Sequence, residues 1–296
     1  MGVVNVTPDS FSDGGRWADP DRAVAHGLEL VAQGADLLDI GGESTRPGAT
    51  RPLLAEELGR VVPVIRALAA TGVPVSVDTM RAEVAQAALD AGASVVNDVS
   101  GGLADPRILE VAAAAGATYV AMHWRAHSDR MADFASYPAG VVTEVADELA
   151  VRRDAALAAG VAPERLVLDP GLGFAKRAEH NWELLAGLDR IAALGHRLLV
   201  GGSRKTFLGR LLAEGDQPRA VDGREAATTA LTLLLADAGA WCVRVHDVRA
   251  SRDALAVREA WHSARASTSP TAAPPTATPP TAAPPTAGDA GQTGPT

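Results

Sequence analysis

The sequence carries a single cysteine, Cys242, in 296 residues. No disulfide can form within the chain, which suits a reducing compartment and leads us to expect a cytoplasmic protein. Positive charge is short as well: the formal net charge is −9. Proteins that hold nucleic acid electrostatically carry a basic stripe, so nucleic acid is not expected as a partner, and any anionic substrate must be met by local cations. There is no leader-like segment and no apolar run of membrane length, so a membrane is not expected as a partner either. Lysine occurs only at Lys176 and Lys205, and asparagine only at Asn5, Asn97 and Asn181. A GC-rich coding bias would remove both residue types wherever nothing demands them. Three of the five fall at predicted strand ends, which marks Asn5 and Asn97 as functional candidates, although asparagine also suits turns.

What is present is a repeat. Eight short apolar runs cross the chain at intervals of roughly 25 to 40 residues, and nearly all run into a polar residue. They are 2–6, 37–40, 73–77, 94–96, 119–122, 166–168, 198–200 and 241–245. Between them lie segments with helical spacing, at 20–33, 53–70, 81–91, 106–115, 141–159, 178–194, 224–238 and 250–264. This alternation predicts an α/β protein, a (β/α)₈ TIM barrel in one domain spanning residues 1–265. Residues 266–296 turn to Pro, Thr, Ala and Gly with a near-repeat of Pro-Pro-Thr-Ala. Such a stretch buries too little apolar surface to offset its ordering entropy and is expected to be a disordered, low-complexity tail. In barrels of this class the active site lies at the C-terminal ends of the strands, so the polar residues there are the first candidates for chemistry.

Those strand-end segments read GVVNVTPDSFSDGG (2–15), GGESTRPG (41–48), VDTMR (77–81) and NDVSGG (97–102) in the first half. The second half supplies Met122-His123, DPGLGF (169–174), GSRKTFLG (202–209) and RVHDV (244–248). In this order, and each at a strand end, they resemble the dihydropteroate synthases, most closely the actinobacterial forms, from Gly2 to about His262. The resemblance implies a transferase of folate biosynthesis that condenses 6-hydroxymethyl-7,8-dihydropterin pyrophosphate with p-aminobenzoate, giving 7,8-dihydropteroate and pyrophosphate. It also implies Mg²⁺ as cofactor, a homodimer, and a target for sulfonamides, which mimic p-aminobenzoate.

The residue types suit that chemistry. A flat aminopyrimidinone ring presents donors beside an acceptor, and a buried site must replace its water with carboxylate, amide and ammonium partners. By resemblance Asp169 and Asn97 read the pterin edge, Asp78 reaches its other donors, Lys205 meets the carbonyl and ring nitrogen, and Met122 and Phe174 form apolar walls. Arg46, Arg244 and His246 are placed on the pyrophosphate, with Mg²⁺ held by Asn5 and phosphate oxygens. The p-aminobenzoate pocket is assigned to two loops, 7–15 and 44–48, through Phe11, Ser44, Thr45 and Pro47 together with Phe174. The substrate's carboxylate is assigned to Thr206, at the start of a helix. The catalytic set is Asp78, Asp169, Lys205, Arg244 and His246.

Plainer roles compete at several positions. Asp78 and Asp169 could cap a helix or turn, Arg244 and His246 could be ordinary strand residues, and His123 could simply satisfy a barrel hydrogen-bond network. Arg204 could assist p-aminobenzoate or form a surface ion pair, and Asp9 and Asp13 could order the first loop or only turn it. Three features depart from the family pattern. The chain starts almost inside its first strand, so fraying there and poorer barrel closure are expected. Leu172 and Ala175 stand where Phe and Gly are more frequent, and Trp124 follows His123 where Met is frequent. Two alternatives to a synthase are a catalytically silent pterin-binding paralogue and a methyltetrahydrofolate-dependent corrinoid methyltransferase.

Overall fold

Segments of two to five residues rich in valine, leucine and isoleucine, too short for a helix and bounded by glycine-punctuated segments, form eight strands. They are β1 Gly2–Asn5, β2 Leu38–Gly41, β3 Val75–Asp78, β4 Val95–Asp98, β5 Thr118–Met122, β6 Leu166–Asp169, β7 Arg197–Val200 and β8 Cys242–Val243. All pair in parallel in sequence order. The computed structural model describes residues 1–7, 20–44, 51–127, 130–268 and 294. Residues Met1–Glu259 form one compact unit, which holds all eight strands, and Ala260–Thr296 group as a second. The low-complexity tail predicted from residue 266 falls, beyond Thr268, outside the described residues apart from Gly294.

The helices are α1 Pro20–Ala32, α2 Leu54–Ala69, α3 Ala82–Asp90, α4 Arg107–Ala114, α5 Val141–Ala158, α6 Ala178–Ala186, α7 Leu188–Ala192, α8 Thr206–Leu211, α9 Glu225–Asp237 and α10 Val248–Thr268. The single helix expected over 178–194 is broken at Gly187. A Cβ there would lie 2.8 Å from both γ-carbons of Val142 on α5, so the close approach of α5 requires glycine and the chain re-enters helix after it.

The expected loss of closure at the N-terminus does not occur. The Val3 N–H donates to the Val245 carbonyl at 3.1 Å and the Val245 N–H to the Met1 carbonyl at 2.9 Å. The Met1 amino group adds a 2.9 Å bond to the Val243 carbonyl. These bonds join the last strand to the first and leave no open edge.

Strand side chains alternate between two faces, and here the alternation separates two cores. Outward residues such as Val4, Ile40, Val77, Val96 and Leu168 pack under the helices in the main core. Inward residues Leu37, Val95, Val120, Val167 and Leu199 join Met1 in a second, smaller core that fills the barrel. Two residues further along, Leu37, Val95 and Val167 give way to the inward polar side chains Asp39, Asn97 and Asp169, and that change places the site.

Candidate active site

The strand register sets one polar layer. Asn5 pairs with Gly41, Gly41 with Asp78, and Asp78 with Asn97, while Met122 pairs with Asp169 across the barrel wall. Paired residues share a face, so Asn5, Asp78 and Asn97 line one level of the barrel mouth; Asn97 pairs with Val120 and Val120 with Val167, so Met122 and Asp169 stand on the same face two residues further toward the strand ends. One step deeper on the same face lies Asp39, whose register partner is Ser76. Asp39 is fully buried.

Arg244, directly after β8, closes this layer from the far side. Its Nε donates to Asp39 Oδ2 at 2.6 Å and its Nη2 to Asp78 Oδ2 at 2.9 Å. Asn97 Nδ2 donates to the same Asp39 oxygen at 3.1 Å. Among the described residues, Asp39 Oδ1 and Ser76 Oγ are buried with no hydrogen-bond partner. Burial pushes the Asp78 carboxyl up to about 7, while the Arg244 charge pulls it back and Asp39 adds repulsion. The capping role considered for Asp78 goes to another residue: the Ala82 N–H at the start of α3 donates to Asp105 Oδ2 at 3.0 Å.

On the opposite wall, the β6–α6 loop folds back over Asp169. The Gly171 N–H donates to Asp169 Oδ1 at 2.7 Å, so one carboxylate oxygen does form the turn that the following Pro-Gly indicated. Gly171 has φ +67°, and a Cβ there would meet the His123 carbonyl oxygen at 2.4 Å, so only glycine lets this loop reach β5. Lys205 comes from the β7–α8 loop. Its Nζ donates to the Leu172 carbonyl and lies 4.7 Å from the Phe174 ring centroid. Burial raises the Asp169 pKa and lowers that of Lys205 to about 8, each opposed by the other's charge. Phe174 packs against a small apolar cluster of Met80, Val99 and Met122 that also touches Trp124.

His246 is held by Ser203, whose Oγ lies 2.9 Å from Nδ1 and accepts the His246 backbone N–H at 3.2 Å. Arg204 donates from Nε to Glu225 at 2.7 Å, an ion pair of the kind expected as one of its two roles. Thr206 is the exposed first residue of α8, and Ser44 is half-buried after β2. Phe11, Thr45, Arg46 and Pro47, with Asp9 and Asp13, lie outside the described residues.

The structure thus brings Asn5, Asp78, Asn97, Met122, Asp169, Phe174, Lys205 and Arg244 to one end of the barrel. Sequence reading missed Asp39, although an acidic residue amid the apolar run Leu37 to Ile40, two positions before Gly41, carried the inward phase of the strand. It also left Lys176 without a role.

A family model for pterin binding enzymes matches residues 1–246. The chain is 56% identical over 262 residues to the dihydropteroate synthase of Mycobacterium leprae (strain TN), covering 88% of this chain and 92% of that one. The chain belongs to the dihydropteroate synthase family of pterin binding enzymes. Among solved structures, the Xanthomonas albilineans synthase with 4-aminobenzoic acid superposes with a TM-score of 0.81 at 47% identity, covering 88% of this chain and 92% of the other. The Yersinia pestis synthase in a sulfonamide drug complex gives a TM-score of 0.82 at 40% identity, covering 89% and 94%.

Metal chemistry at the mouth is limited by the donor set. Among the described residues no group of three or more His, Cys, Asp or Glu side chains could hold an ion. Asn5, half-buried at the end of β1, offers a single amide oxygen. That set fits Mg²⁺, which is commonly held by one or two protein oxygens plus substrate phosphates.

Proposed function

We propose that this protein is a dihydropteroate synthase: a transferase of folate biosynthesis that condenses 6-hydroxymethyl-7,8-dihydropterin pyrophosphate with p-aminobenzoate, releasing 7,8-dihydropteroate and pyrophosphate. The observation that carries this reading is the convergence of Asp78, Asn97, Asp169, Lys205 and Arg244 on one barrel mouth, in a chain 56% identical to a curated synthase.

Asp169, Asn97 and Asp78 bind the donors of the pterin edge, and Lys205 donates to its carbonyl and ring nitrogen. Met122 and Phe174 sandwich the ring between apolar surfaces. Arg46, Arg244 and His246 clamp the pyrophosphate, and Mg²⁺ at Asn5 would supply further charge neutralisation there. The methylene C–O bond breaks first, and its electron pair leaves with the pyrophosphate. The Asp169 and Asp78 carboxylates stabilise the resulting pterin methylene cation by electrostatics, an effect worth a few kcal/mol in preorganised sites. The neutral aromatic amine then attacks, forming the C–N bond and losing a proton. Phe11, Ser44, Thr45, Pro47, Phe174 and the Thr206 hydroxyl hold p-aminobenzoate, and sulfonamides compete there, as the complex of the Yersinia pestis relative supports.

Two further readings rest on simpler grounds. The chain acts as a homodimer; the apolar side chains of Leu211, Val221 and Leu234, more than half exposed on the outside of the barrel, support a covered face. It works in the cytoplasm, consistent with one unpaired cysteine, and among the described residues no helix is long and apolar enough to cross a membrane.

Pyrophosphate release from the purified protein, with dihydropterin pyrophosphate, Mg²⁺, and p-aminobenzoate added or omitted, tests the reading. Release coupled to dihydropteroate formation is expected. Pterin binding without release would identify a silent paralogue, and neither would leave the methyltransferase alternative.

A further inference from the structure

Behind the pterin wall lies a chain of ionisable groups that the reaction above does not use. Lys176 Nζ lies 2.9 Å from His123 Nδ1, 2.9 Å from the Gly171 carbonyl and 3.1 Å from the Phe174 carbonyl. On the other side of the imidazole, His123 Nε2 lies 2.9 Å from Glu148 Oε2 on α5. Arg125 ties Glu148 to Glu144 and covers the Tyr137 ring at 4.0 Å, and the Tyr137 hydroxyl donates to the Ala175 carbonyl at 3.0 Å.

The hydrogen-bond pattern fixes the protons. A carboxylate only accepts, so His123 Nε2 carries the proton facing Glu148. Burial and the neighbouring lysine hold the His123 pKa down to about 4, so the ring is neutral and Nδ1 is an acceptor. Lys176 therefore faces three acceptors, two carbonyls and one ring nitrogen, and an ammonium has three N–H groups to match them. Burial and then the Lys205 charge push the Lys176 pKa well below its ordinary value, with Asp169 and Glu148 opposing the shift, while the three acceptors, with no donor among them, match an ammonium.

We propose that Lys176 is a positioning residue for pterin binding: oriented by the Glu148–His123 pair, its ammonium ties the Gly171 and Phe174 carbonyls and so sets the loop that places Phe174 and the Leu172 carbonyl around Lys205. The geometry gives the reason. The loop runs through two left-handed glycines, Gly171 and Gly173, and the left-handed Ala175; its Phe174 N–H donates to the Gly171 carbonyl at 3.1 Å and its Gly173 N–H to Asn181 Oδ1 at 2.6 Å, and Lys176 adds a cation to the same turn. Its two pterin-facing contributions to Lys205, the Leu172 carbonyl and the Phe174 ring, sit on either side of Gly173. Lys176 closes the loop from below by bonding residues 171 and 174 at once. Because Asp169 anchors the loop start through Gly171, the same ammonium also sets the distance between the Asp169 carboxylate and Lys205.

This inference rests on the synthase reading, and its test separates the two. Lys176→Met, His123→Gln, the surface-side Glu148→Gln and the double variant Lys176→Met/His123→Gln are compared with wild type. Calorimetric binding of the pterin pyrophosphate and steady-state kinetics are measured for each, with thermal melting as a folding control. We expect Lys176→Met to weaken pterin binding and raise its KM about 30-fold or more, with a smaller rise in the KM for p-aminobenzoate because Phe174 also lines that pocket, Glu148→Gln to give a smaller loss of the same kind, and the double variant to match Lys176→Met alone. Unchanged pterin affinity in Lys176→Met, equal losses for both substrates, or multiplying effects in the double variant would overturn the proposal. If Lys176→Met fails to fold, Glu148→Gln decides: a shift larger for the pterin than for p-aminobenzoate supports the relay, and none refutes it. Wild-type protein that binds pterin without turnover would sink the synthase reading alone, since the binding comparison remains.

Discussion

Arg244 and Asp39 meet through a 2.6 Å hydrogen bond deep in the barrel mouth, although 205 positions separate them in sequence. Asp39 is fully buried and Arg244 also grips Asp78, so one guanidinium joins the second, third and last strands at the level where the site begins. Removing one member of a buried ion pair leaves the other charge unsatisfied, which costs roughly 3–5 kcal/mol. Asp39→Ala is therefore expected to destabilise the fold by about that amount in urea melts. Asp39→Asn, which keeps an acceptor for Nε, should cost less stability while lowering kcat/KM at least tenfold by releasing Arg244 from its set position. Wild-type kcat/KM in Asp39→Asn would show that the pairing only stabilises the barrel.

The two titrating groups of the mouth set a narrow working range. Asp78 ionises at about 7 and Lys205 at about 8 in the free protein. Asp78 serves as the carboxylate and Lys205 as the ammonium, so kcat/KM falls below the first value and above the second, giving a bell with its maximum between them. Because the groups share a charge network, the limbs belong to the set and not to single residues. Asp78→Asn should remove the acid limb along with most of the activity; a profile flat from pH 6 to 9 in the wild type would contradict the assignment.

Acid sensitivity should come from His123. Its pKa lies near 4 in the fold against an ordinary value of 6.5, so the unfolded chain takes up the proton first as pH falls. Stability from this group is present above 6.5 and lost progressively between about 6.5 and 4, to a total of about 3 kcal/mol. Glu148, held down to about 2, contributes in the same direction over a lower range, its share lost as pH falls from about 4.5 to about 2. Denaturant midpoints measured between pH 7 and 5 should fall more steeply in wild type than in His123→Gln; equal slopes would mean that other groups dominate.

Ala175 holds φ at +47°, in the left-handed region that favours glycine. An L-residue in the left-handed region costs roughly 1–2 kcal/mol. Ala175→Gly is therefore expected to stabilise the protein by up to about 1 kcal/mol, because glycine's greater unfolded entropy offsets part of the relief. Differential scanning calorimetry should show a rise of a few degrees in Tm, and a fall would indicate that the Ala175 methyl, which is buried, contributes more by packing.

Most of this arrangement could be read in the sequence because it obeys local rules. Apolar runs ending in Asn5, Asp78, Asn97 and Asp169 marked the strand ends, and parallel pairing then placed Asn5, Asp78 and Asn97 on one level, with Asp169 on the same face two residues beyond it. What escaped depends on non-local contact. Gly187 looked like a tolerable helix interior residue until Val142 of α5 packed against it. Asp39 looked like part of an apolar run because its partner, Arg244, lies on the last strand. Closure at Met1 depended on Val243 and Val245, which bond to Met1 and Val3 from the far end of the chain. Lys176 was visible as one of only two lysines, yet nothing in its neighbours along the chain pointed to His123, 53 positions away.

The most direct measurement is dihydropteroate formation by the wild type and by Asp169→Asn, with pterin pyrophosphate binding followed calorimetrically on the same samples. The account predicts turnover in the wild type and a loss of at least about 100-fold in the variant, the scale seen when a preorganised electrostatic group is removed. Full turnover in Asp169→Asn, or none in a wild-type protein that binds both substrates, would contradict it.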